Sequence, residues 1–229
     1  HILLAIARAP LSLACGGSQA PSTGSATVEE RIGYQSDAQT FDGFLAYPEG
    51  ATQAAAVIVA HDFFGLGDNS IRVARQLADA GYVALAVDFY GQGRRPQNQK
   101  EATEMAIQVR QDVLQTRKTM QAAWAYLASR AEADISKVVV LGYSVGGVAA
   151  FELARAGAPV AGIVGLWPVL ENARPEDARP IKADVLVMVG DLDPLAPPAT
   201  VDAFETELQN AATSVSITRF KGVVHAFTV

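Results

Sequence analysis

The chain has 229 residues, of which 50% are hydrophobic and only 18% charged, a composition that suits one sizeable globular core and lies far from disorder. A formal net charge of -6, with no basic stripe, argues against nucleic acid, because neutralising phosphates takes clustered Lys and Arg. A single cysteine, Cys15, excludes an internal disulfide and any multi-cysteine metal site, and the longest apolar run is far short of a membrane span.

Residues 1–27 read as a leader and tether rather than as part of a fold. The apolar stretch ends in Leu13-Ala14-Cys15 and is followed by a Gly/Ser/Pro/Thr-rich segment with almost no charge. It resembles the end of a bacterial lipoprotein signal, although Ser12 and Arg8 depart from the usual pattern. The resemblance implies lipidation at Cys15, a membrane tether, and an exported, periplasmic or membrane-anchored protein; a cytoplasmic location is the alternative. Because Cys15 lies in this leader, the folded domain, residues 28–229, has no cysteine to use as a nucleophile.

From about Val28 the chain alternates strands and helices. "RIGYQSDAQTFDGFLAYPEG" predicts an antiparallel hairpin, with apolar residues alternating on either side of turn chemistry. "AAAVIVA" is a short continuous apolar run, as expected of a strand buried on both faces. Asn69 or Ser70 can cap a helix whose Val73, Ala74, Leu77 and Ala78 share one face, with Gly81 ending it. "YVALAVDF" is the next buried strand, and a long helical region follows over roughly Glu101 to Arg130, with Val113, Met120, Trp124 and Leu127 apolar. "KVVVLG", "VAGIVGL", "ADVLVMVG" and "SVSITRF" complete the strands, with helices after the first and between the last two. This alternation predicts a mostly parallel sheet covered by helices on both faces, an α/β architecture whose ligands bind at the carboxyl ends of the strands.

Those ends carry His61-Asp62-Phe63, Asp88-Phe89-Tyr90, Ser144, Asp191 to Asp193, and His225 after the last strand. Gly142-Tyr143-Ser144-Val145-Gly146 fits the G-x-S-x-G nucleophile elbow between a strand and a helix, where glycines permit close packing and the Val145 N–H points to where an oxyanion would form. A serine hydroxyl needs a base. Of three histidines, His1 is terminal and His61 precedes the serine, so the chain order Ser, acid, His selects His225. Gly222 lets the chain turn back at that loop, and His61 reads as a pocket or structural residue. The acid lies in "GDLDPLAPP", where spacing leaves both Asp191 and Asp193 open.

Four ordered stretches, "HDFFGLGDNSIRVARQLADAGYVALAVDFYG", "VVVLGYSVGGVAAFELA", "VMVGDLDPLAPP" and "GVVHAF", resemble the dienelactone hydrolase family of α/β-hydrolases over nearly the whole domain. The resemblance implies an α/β-hydrolase fold and favours Asp193 as the acid, since Gly190, Asp193 and Pro197 match the family's G-x-x-D-x-x-x-P. It also implies that Phe63 N–H is the second oxyanion donor beside Val145 N–H. Serine replaces the cysteine of the best-known members, and Asp62 stands where they carry glutamate. Gln92 and Val229 stand where they clamp a substrate carboxylate with arginines; Arg94 and Arg95 lie close to Gln92. Members continue into a closing helix, so the end at Val229 reads as a C-terminal truncation that leaves that helix missing.

Asp62, Phe64, Tyr90 and Trp167 are pocket candidates. Asp62 could instead organise the oxyanion loop, or hydrogen-bond the resting nucleophile. The expected function is hydrolysis of small carboxylic esters or lactones through an acyl-serine formed by Ser144, His225 and Asp193, with no metal or organic cofactor and a monomer favoured. The alternatives are a serine peptidase or thioesterase on the same fold, and a non-catalytic tethered binding module.

Overall fold

A computed structural model describes residues 26–171, 181–210 and 214–228. Cys15 and nearly all of the leader lie outside the described residues, as does Val229. In chain order the elements are β1 (Thr27–Ser36), β2 (Gln39–Pro48), β3 (Ala54–Ala60), α1 (Asp68–Asp79), β4 (Val83–Val87), α2 (Gln99–Gln111) and α3 (Val113–Ala128). They continue as β5 (Ala133–Tyr143), α4 (Val145–Arg155), β6 (Gly162–Leu166), β7 (Asp184–Gly190), α5 (Pro198–Asn210) and β8 (Val215–Phe220). One eight-stranded sheet runs in the order β1-β2-β4-β3-β5-β6-β7-β8. β1 and β2 form the expected hairpin, β2 pairs antiparallel with β4, and every later pairing is parallel.

The inner strands read as apolar runs because both of their faces are covered. Ala56, Ile58 and Ala60 of β3 join a core with Met105 and Val109 of α2, Met120 and Leu127 of α3, Phe151 of α4, and Phe204 of α5. Val57 and Val59 point the other way, against Ile71, Ala74 and Leu77 of α1. This is the period-two alternation of a strand applied to two cores rather than to a core and solvent.

Two helix boundaries differ from the sequence expectation. α1 is capped by Gly67, with neither Asn69 nor Ser70 in that role; Gly67 is extended and its carbonyl accepts from Ile71 N–H at 3.1 Å, so the helix starts ahead of both. Asn69 Oδ1 instead accepts from Arg72 Nη2 at 2.6 Å. The long helical region is also two helices. Asp112 ends α2 by donating its N–H to Gln108 O, and caps α3 by accepting from Gln115 N–H at 3.1 Å. An aspartate can do this without glycine or proline, which is why nothing in the apolar periodicity marks the break.

α4 controls the placement of the strand ends. Ser144, between β5 and α4, has φ 52 and ψ -118, a conformation costing a non-glycine residue roughly 1–3 kcal/mol. Every residue of α4 is buried, and a fully buried Val, Leu or Phe contributes about 1.5–3 kcal/mol, so Val148, Phe151 and Leu153 together outweigh the strain. Glu152 and Arg155, both wholly buried, extend the anchorage: Glu152 accepts from Arg117 Nε at 2.6 Å and from Arg155 Nη1 at 2.8 Å.

The approach of α4 to the sheet leaves no room for a side chain. A Cβ at Gly146 would lie 2.8 Å from the Ala60 carbonyl carbon and closer still to the oxygens of Ala60 and His61. At Gly142 it would lie 2.7 Å from the carbonyl carbon of Gly146. Both obstacles are backbone and cannot rotate away. Gly146→Ala is therefore expected to lower the urea-unfolding free energy by about 2 kcal/mol or more, the upper range of overpacking costs. An unchanged midpoint would mean that α4 moves freely on the sheet.

Candidate active site

β5, β6, β7 and β8 are parallel, so their carboxyl ends converge on one edge of the sheet, and the chemistry-bearing residues meet there. Ser144 Oγ lies 2.9 Å from His225 Nε2, across 81 positions of sequence. His225 Nδ1 lies 2.7 Å from Asp193 Oδ2. A carboxylate only accepts, so Nδ1 carries the proton and Nε2 presents a lone pair to the serine hydroxyl. Asp193 is 2% exposed, and its other oxygen accepts from Leu195 N–H at 2.8 Å, which fixes the carboxylate plane.

Asp191, the other aspartate of that loop, turns away. Its Oδ1 accepts from Gly222 N–H at 2.7 Å, tying the β7 loop to the turn after β8. Gly222 has φ 74, and a Cβ at Gly190 would fall 2.6 Å from the carbonyl carbon of Val223. Glycines thus let the His225 loop fold onto β7. Further clamps are Leu192 N–H to Val223 O at 3.1 Å and Trp167 Nε1–H to Thr228 Oγ1 at 2.7 Å. The Trp167 ring meets that of His225 edge-on at 5.0 Å.

Opposite the serine, the loop after β3 is held by its own side chains. Asp62 Oδ1 accepts from Phe64 N–H at 2.9 Å, and Tyr90 Oη donates to Phe63 O at 3.1 Å. Burial pushes the Asp62 carboxyl above its usual range, partly offset by the Phe64 N–H, the Asn69 side chain and the charge of a protonated His225. Among the described residues, the N–H groups of Phe63 and Val145 donate to no protein acceptor, the condition for receiving one from a ligand.

An open cavity of about 740 Å³ lies over these groups, lined by Asp62, Phe63, Phe64, Trp167, Ala226 and both partners of the 2.9 Å contact. Of the pocket candidates, Asp62, Phe64 and Trp167 are there. Tyr90 is not: its ring is buried behind the loop, lining a separate cavity of about 200 Å³ with Phe89 and Met105, because its hydroxyl is drawn to the Phe63 carbonyl. Arg94 and Arg95 do not line the cavity either. Arg94 Nη2 donates to Tyr90 O, and Arg95 Nε to Leu66 O.

The cavity has cationic lining that the sequence reading missed, Arg72 and Arg75 of α1. Arg75 is paired with both oxygens of Glu29, whereas among the described residues Arg72 hydrogen-bonds only the neutral side-chain oxygens of Asn69 and Gln76. Their three-residue spacing just after the β3 loop was the available signal. His61 has 0% exposure and stacks on Phe89, and burial lowers its pKa to about 3. No group of three or more His, Cys, Asp or Glu among the described residues could hold a metal ion.

Residues 41–229 match the dienelactone hydrolase family. A Bradyrhizobium sp protein named "Probable 2-oxo-3-(5-oxofuran-2-ylidene)propanoate lactonase" is 29% identical over 194 residues, 80% of this chain and 77% of its own. The crystal structure of the dienelactone hydrolase-like promiscuous phosphotriesterase P91, from metagenomic libraries, superposes with a TM-score of 0.83 at 31% identity, covering 89% of this chain and 85% of that one. A dienelactone hydrolase from Anabaena variabilis gives a TM-score of 0.66 at 25% identity, covering 88% and 89%.

The depressed pKa of His61 has a consequence for stability. Between about pH 3 and the unfolded value of 6.5, the unfolded chain binds a proton at this residue that the folded chain refuses. Stability from this group is therefore complete above pH 6.5 and declines as the pH falls. Urea unfolding of wild type and His61→Phe from about pH 7 to about pH 4 should show a shallower decline in the variant. Equal slopes would assign the acid sensitivity to other groups.

Proposed function

The chain belongs to the dienelactone hydrolase family and is a hydrolase of it, and from that premise we propose that it cleaves carboxylic esters or lactones of small molecules through an acyl-serine intermediate. The observation that carries this reading is the continuous line of contacts from Asp193 through His225 to Ser144, opening onto a cavity lined by Phe63, with the N–H groups of Phe63 and Val145 free of protein acceptors among the described residues. Such a line is what a serine needs in order to act as a nucleophile near neutral pH.

In the proposed reaction, Ser144 Oγ attacks the carbonyl carbon as its proton passes to His225 Nε2. The carbonyl π electrons move onto oxygen, and the negative charge is met by the N–H groups of Phe63 and Val145. Asp193 stabilises the imidazolium through Nδ1–H. Collapse of the tetrahedral intermediate breaks the bond to the leaving oxygen, which takes the proton from Nε2. In a lactone this alcohol stays tethered to the acyl group. Water then attacks the acyl-serine, gives a proton to His225, and Ser144 departs with that proton as the acid is formed.

The aromatic wall of Phe63, Phe64 and Trp167 suits an apolar portion of the substrate, with Arg72 available to its polar substituent. Asp62 is assigned to the loop rather than to the nucleophile, since its carboxylate is engaged by Phe64 N–H.

Intact mass after treatment with a fluorophosphonate tests the reading. One stoichiometric adduct is expected on wild type, none on Ser144→Ala, and labelling slowed by about a thousandfold or more in His225→Ala. Asp193→Asn should reduce kcat about 10⁴-fold by leaving the wrong tautomer, whereas Asp191→Asn should stay near wild type. A wild-type chain that folds but takes no adduct would sink the proposal.

A further inference from the structure

His61 takes no part in the proton transfers above, yet it is among the most enclosed residues of the fold. Its ring lies flat on Phe89, 3.7 Å between centroids and 10° between planes, and Tyr90 meets it edge-on at 4.6 Å. Nδ1 is 2.6 Å from the carbonyl oxygen of Asp62. A carbonyl can only accept, so Nδ1 bears the hydrogen and Nε2 is the bare nitrogen. Nε2 has no hydrogen-bond partner among the described residues and stands 4.0 Å from Asp88 Oδ1. A buried histidine that leaves one nitrogen unsatisfied is held there by what the other nitrogen does.

The acceptor identifies that role. Asp62 C=O and Phe63 N–H are the two ends of a single peptide group. A donor on the oxygen draws electron density towards it, leaving the N–H more positive and a stronger donor; hydrogen bonds in series polarise one another in this way. It also fixes the plane of the peptide and therefore the direction in which the N–H points. Gly65 N–H makes a longer bond, 3.2 Å, to the same oxygen. Tyr90, packed against the imidazole, holds the next carbonyl along, that of Phe63, and the Asp62 carboxylate holds the amide of Phe64. His61 is thus the side chain that acts on the Asp62–Phe63 peptide directly.

We propose that His61 is a positioning residue, whose Nδ1–H acts through the Asp62–Phe63 peptide to aim and strengthen the Phe63 N–H that receives the oxyanion. The inference rests on the acyl-serine reading above. His61 does not line the cavity, so its effect falls on the transition state and leaves substrate binding alone.

Four proteins decide it: wild type, His61→Phe, which keeps the aromatic stack and removes the donor, and the similarly sized pair His61→Asn and His61→Leu, which differ in having a donor. The readouts are kcat and KM for p-nitrophenyl acetate, inhibition by a trifluoromethyl ketone that forms a tetrahedral adduct, and thermal unfolding. Losing a whole oxyanion donor costs about 10²–10³ in kcat, so losing its polarising partner should cost about 10- to 100-fold in His61→Phe and His61→Leu. KM should stay within about twofold, the ketone should weaken in parallel with kcat, and His61→Asn should recover about tenfold over His61→Leu. If His61→Phe does not fold, the Asn and Leu pair decides the matter alone. Equal kcat in that pair, or losses that follow thermal stability and ignore the donor, overturns the proposal. A wild type that neither turns over ester nor takes the fluorophosphonate overturns the acyl-serine reading first, and this one with it.

Discussion

The arrangement of the site depends on one steric constraint, the approach of the α4 N-terminus to the ends of β3 and β5 at a separation that excludes a Cβ. With Gly146 resting on the carbonyls of Ala60 and His61, and Gly142 facing the backbone of Gly146, the chain must reverse within a single residue. That residue is Ser144, with its positive φ. The same contact lays the β3 loop beside the first turn of α4, against the carbonyls of Ala60 and His61. If α4 stood off by the width of a methyl group, the strain at Ser144 would have no contact to hold it. Burial along α4 and the ion pairs of Glu152 hold the contact closed.

Around that contact, chemically alike residues have been given unlike tasks by their surroundings. Of two aspartates in one loop, Asp193 faces an imidazole and Asp191 faces a backbone amide. Of two described imidazoles, His225 stands at the cavity between a hydroxyl and a carboxylate, and His61 is sealed between aromatic rings with burial keeping it neutral. The carboxylate of Asp62 is spent on its own loop. In each pair the residue type allowed both roles, and the tertiary partner chose between them.

Much of this was legible in the sequence, for identifiable reasons. Continuous apolar runs announced the doubly covered strands, and alternation announced the β1–β2 hairpin. The elbow was legible because glycine, serine and glycine at that spacing have few other uses between a strand and a helix. Helix ends were less so: Asp112 stops one helix and starts another with a bond that leaves the apolar spacing intact, and Gly67 displaces better capping residues because the incoming chain is already extended there. Tyr90 sits at a strand end, as a cavity residue should, but a strand end says nothing about which way a long side chain leans. Arg72 and Arg75 escape a reading of α1 for its apolar face, because the site is built from the other side of that helix.

The braces on the His225 loop come from Trp167 just past β6, the end of β7 and the loop after it, and its contact with Ser144 spans 81 residues of chain. Contacts of such sequence separation are entropically the costliest to close and form late. On the acyl-serine reading proposed above, the serine gains its base only when the turn after β8 has docked onto the loop after β7. For a chain emerging in order from its N-terminus, the elbow precedes its partner by 81 residues, and on the proposed reading its reactivity switches on only as β8 docks, so that the unfinished protein exposes no activated hydroxyl to its surroundings.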